Sequence, residues 1–206
     1  RKQQPLPDAL HQKVGNMMAR MHQTTMGMEL NRPDYTAETL LLQSLPQIAA
    51  YLPAHTPEMQ WLQSTQTQLL ALLADTAHLP KGIVHLDVWF DNMNITDDGQ
   101  ATLFDFDFCG NGWLCTDVAY YLMQLFYTER DATECTRKTA AFLQGYEAVR
   151  PLQAAERALL PALGVSLYYF YLGIQCARYE NWSSMFVNEA YLTGYVNRII
   201  KPWYEK

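Results

Sequence analysis

Between Arg157 and Arg178 the chain carries no charged side chain. An uncharged run from Ala158 to Ala177 has two outlets. It is a helix buried on every side, or it spans a bilayer, which takes about 20 apolar residues. Pro161, Ser166, Gln175 and the tyrosines Tyr168, Tyr169 and Tyr171 fall inside it. Aromatic residues anchor a span at its ends rather than its middle. The run therefore predicts a buried helix over about Ala154 to Ala177, and a domain large enough to enclose it. With 206 residues and an apolar share of 49%, the chain can build such a core.

Helical patterning continues on both sides of a short strand-rich centre. Leu10, Val14, Met17, Met18 and Met21 recur at spacings of three and four, which predicts a helix from Asp8 to His22. A second helix is expected from Thr36 to Tyr51. A third opens on Thr56, Pro57 and Glu58, a cap, a first-turn proline and a first-turn acid, and is expected to run to Ala77. Further helices are expected over Thr116–Thr128, Ala132–Val149 and Ser184–Arg198. The centre holds three β-like runs: Gly82–His85, Met93–Thr96 and Gln100–Asp105. Asp97-Asp98-Gly99 supplies hairpin turn chemistry between the last two.

Composition narrows the function. The formal charge is −6 and no basic run exists, which argues against nucleic-acid binding. Cys109, Cys115, Cys135 and Cys176 show neither a C-x-x-C pair nor zinc spacing. They read as buried thiols in a reducing compartment, hence a cytoplasmic protein. Arg1 to Pro5 contain no apolar stretch of the signal-peptide kind.

The chemistry concentrates in His85-Leu86-Asp87-Val88-Trp89-Phe90-Asp91-Asn92, then Asp105-Phe106-Asp107, then Asp117. Apolar strands precede both His85 and Asp105, so a rigid hairpin is expected to deliver polar groups into one mouth. Phosphoryl transfer calls for positioning and charge neutralisation more than covalent work. One carboxylate must orient a hydroxyl and take its proton. Oxygen donors must hold Mg²⁺ against nucleotide phosphates. Asp87, Asn92 and Asp105 supply that set.

The pattern H-x-D-x-x-x-x-N followed by an apolar strand ending in Asp resembles the aminoglycoside phosphotransferase/choline kinase superfamily, with homoserine kinases among the look-alikes. Asp105 to Gly112 and Asp117-Val118-Ala119 resemble its I-D-F … G … D-L-A segment. Met18-Ala19-Arg20-Met21-His22 resembles its L-A-x-L-H helix. The resemblance implies a mostly helical α+β fold, a protein-kinase-like C-terminal lobe with a small catalytic hairpin. It divides residues 1–80, 81–117 and 118–206 into a hinge-following segment, a catalytic and metal-binding segment, and a helical substrate subdomain.

It also implies roles. Asp87 is the base, His85 a scaffold of the catalytic loop, and Asn92 and Asp105 are ligands for Mg²⁺ and, through it, for ATP or GTP. Asp117 anchors the loop. The acceptor is a small-molecule hydroxyl, on an amino alcohol, a homoserine-like compound, a sugar or an aminoglycoside. Leu86 stands where the family has Gly, and Trp89 where it often has a second His. No segment reads as the family's N-terminal β lobe with its strand lysine, so that lobe is expected to lie outside this chain.

Each residue also has a plainer reading. Asp87 can be a turn residue, Asn92 a loop cap, and Asp117 a helix-dipole acid. Asp107 either touches a second metal or faces solvent. His22 and the methionine stripe read as core. Tyr168, Tyr169, Tyr171, Arg178, Tyr179, Glu180 and Trp182 are candidates for an acceptor pocket, or packing. Two rival functions remain: a non-catalytic kinase-like binding module, and a haloacid-dehalogenase-type phosphatase using Asp105-Phe106-Asp107. The second requires a parallel βαβ series around Asp105.

Overall fold

Two glycines let a pair of helices meet backbone to backbone. A Cβ on Gly15 would run into the carbonyl oxygen of Phe142, and one on Gly145 into that of Gln12. Each helix thus offers a bare backbone where the other arrives, and only glycine leaves that room.

The computed structural model describes residues 7–96, 100–178 and 187–205. In chain order the helices are α1 (Asp8–Thr25), α2 (Leu45–Ala49), α3 (Pro57–Leu72), α4 (Cys115–Thr128), α5 (Ala132–Glu147), α6 (Ala154–Ala177), α7 (Glu189–Tyr195) and α8 (Lys201–Tyr204). The strands are β1 (Asp34–Tyr35), β2 (Lys81–Val84), β3 (Met93–Ile95), β4 (Ala101–Leu103) and β5 (Gly110–Trp113). The chain divides into two units, Arg1–Pro33 with Leu79–Leu160, and Asp34–His78 with Pro161–Lys206.

In the first unit α1 and α5 form the close glycine-mediated pair. Leu10, Val14 and Met18 of α1 and Phe142 and Tyr146 of α5 are buried. Tyr121 of α4 stacks on Phe142 at 4.2 Å between ring centroids. The carboxylate of Asp131 accepts from the amides of Thr133 and Glu134 and starts α5. Strands β2 and β5 pair antiparallel, Lys81 opposite Trp113 and Val84 opposite Gly110. Strands β3 and β4 form the expected hairpin, Met93 opposite Leu103. Its turn, Asp97-Asp98-Gly99, lies outside the described residues.

Two expectations change here. The strand before His85 pairs with β5, not with the hairpin, so the two polar strand ends come from separate antiparallel ladders. Strand β5 itself escapes a propensity reading, because Gly110 and Gly112 are poor strand formers. Among the described residues these ladders are antiparallel, so nothing supports the parallel series a dehalogenase-type site requires.

Apart from β1, the described part of the second unit is helical. The expected helix Thr36–Tyr51 is broken into a wide π turn over Glu38–Leu42, closed by Gln43 N–H to Glu38 O at 3.2 Å, and then α2. Pro46 lies in the first turn of α2 and has no N–H to carry a longer helix through that point. Helix α3 stops at Leu72, short of Ala77, and past its end the hydroxyl of Thr76 donates to Leu73 O at 3.2 Å. Of the expected helix Ser184–Arg198, residues 184–186 lie outside the described residues. The remainder is α7, followed by a π turn over Val196–Ile200. The indole of Trp203 packs on Gly164 and donates to Pro161 O at 2.9 Å.

Helix α6 matches its expected bounds. It is long and apolar enough to cross a membrane, yet 67% of its apolar window is buried inside the protein. Tyr168 and Tyr169 are core side chains at 1% and 0% exposure, and the Tyr169 hydroxyl donates to Leu62 O at 2.8 Å.

Gly145→Ala is expected to lower stability by about 1–3 kcal/mol, the usual cost of overpacking a tight contact. Urea unfolding checks it, with a reduced midpoint and unchanged slope as the expected result.

Candidate active site

The site begins where β2 stops. After Val84 the chain turns at Leu86, which sits at φ 60°, a left-handed conformation that favours glycine. This accounts for glycine being usual at that position in the resembling family. Here a fully buried leucine adopts it. Asp117, in the first turn of α4, holds the turn. Its Oδ2 accepts from His85 N–H at 2.8 Å and its Oδ1 from Leu86 N–H at 2.7 Å. Oδ2 also accepts from Nε2 of His22 on α1 at 3.0 Å. Asp117 has no exposed surface. A buried carboxylate is costly unless its oxygens are hydrogen-bonded, and three donors meet that requirement.

The turn presents Asp87. Its Oδ1 accepts from the Tyr120 hydroxyl at 2.5 Å and its Oδ2 from Asn92 Nδ2 at 2.6 Å. Asn92 Nδ2 also donates to Asp87 O at 3.1 Å, and Gln124 Nε2 donates to the Tyr120 hydroxyl at 3.0 Å. Burial pushes the Asp87 carboxyl above the ordinary Asp range. The Tyr120 and Asn92 hydrogen bonds and His85 oppose that rise, while the neighbouring Asp105 carboxylate adds to it. His85 is fully buried and both its nitrogens face backbone. Nδ1 accepts from Asp87 N–H at 3.2 Å, and Nε2 donates to Phe104 O at 3.2 Å. Its ring packs on Phe106 at 4.6 Å.

Asp105 follows β4 and is the second left-handed non-glycine residue, at φ 65°. Phe104 N–H donates to Asn92 O at 3.0 Å, which ties the Asp105 turn to the Asn92 turn. Below it, the Arg32 guanidinium donates to the carbonyls of Phe106, Asp107 and Cys109 at 2.5, 2.9 and 3.0 Å. Asp107 is exposed. Thus Asp87, Asn92, His85 and Asp117 share one hydrogen-bonded loop, and Asp105 adjoins it through backbone and charge. Arg178 is exposed at the end of α6, in the second unit. Tyr179, Glu180 and Trp182 lie outside the described residues.

The donor set suits a hard divalent cation. Asn92 commits its NH₂ to Asp87 and takes no hydrogen bond on Oδ1 from the described residues. The Asp105 carboxylate is exposed and accepts none from them either. No cluster of three His, Cys, Asp or Glu side chains among the described residues is placed to hold a metal alone. Mg²⁺ binds in this manner, through one or two side chains plus phosphates and water.

Tyr120 and Tyr146 were not among the expected site residues. Tyr120 had a signal: it stands three positions after Asp117 on one helix, so both side chains share a face.

Residues 1–152 match the model of the phosphotransferase enzyme family. The homoserine kinase of Sinorhizobium medicae (strain WSM419) is 34% identical over 170 residues, covering 80% of this chain and 51% of its own length. That of Polaromonas naphthalenivorans (strain CJ2) is 30% identical over 159 residues, covering 76% and 50%. The chain spans about half the length of the curated relatives it matches. A solved structure of a microcompartment-associated aminopropanol kinase superimposes with a TM-score of 0.74 over 98% of this chain and 65% of its own, at 20% identity. The fold is the mostly helical, kinase-like one.

Asp117→Asn keeps the shape but leaves one buried N–H facing an NH₂ group. Stability is expected to fall by about 1–3 kcal/mol, the cost of an unsatisfied buried donor, and chemical denaturation measures it.

Proposed function

The chain belongs to the phosphotransferase enzyme family, and we propose that it carries the catalytic half of a kinase that moves the γ-phosphoryl group of ATP or GTP onto a small-molecule hydroxyl. The observation that carries this reading is the Asp87 carboxylate, raised by burial and bonded to Asn92 beside Asp105. Asp87 orients the acceptor hydroxyl and takes its proton as the bond to phosphorus forms. A raised carboxyl is better matched to that proton transfer than an ordinary one. Tyr120 holds one of its oxygens, so the other, shared with Asn92, is the one that turns to substrate. Asn92 Oδ1 and the Asp105 carboxylate would hold Mg²⁺, which supplies charge neutralisation on the phosphates. His85 keeps the loop in register with both nitrogens on backbone.

For the acceptor we favour a hydroxy amino acid or amino alcohol. Homoserine kinases align with this chain over 76–80% of its length at 30–34% identity. The reading is tested by measuring nucleotide consumption of the full-length protein with homoserine, ethanolamine, choline and aminoglycosides. Turnover with none of them would count against it.

Asp87→Asn is expected to lower kcat by ~10²-fold or more with nucleotide binding retained. Full turnover in that variant would remove Asp87 as base. Asp105→Ala is expected to abolish Mg²⁺-dependent nucleotide binding in titration calorimetry, and tight binding by the variant would remove Asp105 as ligand.

A further inference from the structure

The hydrogen bonds of Asp117 do not end at His22. His22 Nδ1 meets the Tyr146 hydroxyl at 2.8 Å, and Arg150 Nη1 donates to that hydroxyl at 2.9 Å. Arg150 Nη2 donates to Glu156 Oε1 at 2.7 Å, and Glu156 Oε2 accepts from Gln153 N–H at 3.0 Å. His22, Asp117, Tyr146 and Glu156 have no exposed surface, and Arg150 has 6%. The chain joins α1, α4, the end of α5 and the start of α6.

Its two ends limit where the protons between them can sit. Arginine can only donate, and an ionised carboxylate can only accept. Arg150 fills one lone pair of the Tyr146 oxygen, and a His22 that carries a single proton, donated from Nε2 to Asp117, accepts the phenol proton on Nδ1. Burial pushes the Tyr146 phenol upward, so it stays a donor. His22 then carries its proton on Nε2, the nitrogen that faces Asp117. Without the Tyr146 donor, the other tautomer would set a bare Nε2 against Asp117 Oδ2, the same oxygen that holds His85 N–H. Leu86 is held in its left-handed conformation by this same carboxylate, so a weakened Asp117 has a strained turn to restrain.

We propose that Tyr146, Arg150 and Glu156 are positioning residues for the loop His85–Asp87, acting by fixing the His22 tautomer that secures Asp117. The catalytic consequence rests on the function proposed above; the structural consequence does not.

The test compares the protein with its Tyr146→Phe variant, which keeps the ring and removes the hydroxyl. In the parent, ¹⁵N NMR is expected to show His22 protonated at Nε2 and bare at Nδ1. In Tyr146→Phe the Nδ1-protonated form should appear. Amide exchange at His85 and Leu86 should speed up roughly tenfold, the scale of one lost hydrogen bond, while Val14 and Phe142 keep their protection. kcat should fall by a similar factor with the KM for nucleotide unchanged. Arg150→Lys, which keeps a donor but not the fork to both partners, should move the same readouts in the same direction and less far. A parent His22 protonated at Nδ1 would overturn the proposal. So would unchanged exchange at His85 and Leu86 in both variants, or faster exchange spread equally over α1 and α5. The tautomer and exchange readouts need no turnover, so a parent without kinase activity would count against the proposed function alone.

Discussion

The loop that presents Asp87 depends on one buried carboxylate. Asp117 takes the amides of His85 and Leu86 on separate oxygens, so two consecutive peptide units are oriented by a single side chain. A left-handed leucine costs roughly 1–2 kcal/mol, and a hydrogen bond to a charged group returns about 1.5–3 kcal/mol. The balance favours the turn as long as Asp117 keeps both amides. From that turn follow the position of Asp87, its short contact with Asn92, and the bond from Asn92 O to the strand that leads to Asp105.

Around this clamp the polar atoms separate into committed and available ones. Both nitrogens of His85 are committed to backbone, as is the guanidinium of Arg32. The amide oxygen of Asn92 and the carboxylate of Asp105 receive no donor from the described residues. In Asn92 the committed and the available atoms are the two ends of one amide. The glycine contacts at Gly15 and Gly145 serve the same end from farther off. They bring α1 and α5 close enough for His22 and Tyr146 to meet at hydrogen-bond distance.

Much of this was legible in the sequence. The periodic run from Leu10 to Met21 placed α1, and the uncharged run before Arg178 placed α6, close to their observed bounds, because each reports on buried helical surface. The motif around Asp87 and Asn92 was legible because its members are near neighbours in the chain. The split of the Thr36–Tyr51 helix was harder to read, since Pro46 is tolerated in a first turn and so does not reveal on which side the break falls. Strand β5 was hidden because glycines carry no strand preference, and its identity comes from pairing with β2. His22 read as core, and Tyr120 and Tyr146 carried no motif that set them apart from packing aromatics. Their hydroxyl and imidazole partners lie up to 124 positions away, and only the folded chain brings them together.

Helix α4 carries Asp117 and, three positions on, Tyr120. One fixes the backbone of the loop and the other grips the carboxylate that the loop displays. The two tasks therefore ride on a single rigid rod. A small rotation or slide of that rod cannot retune the acid without also shifting the peptide planes beneath it. Variation in this protein is accordingly freer in segments that touch only one of the two groups, while the rod itself has to change in matched steps or not at all.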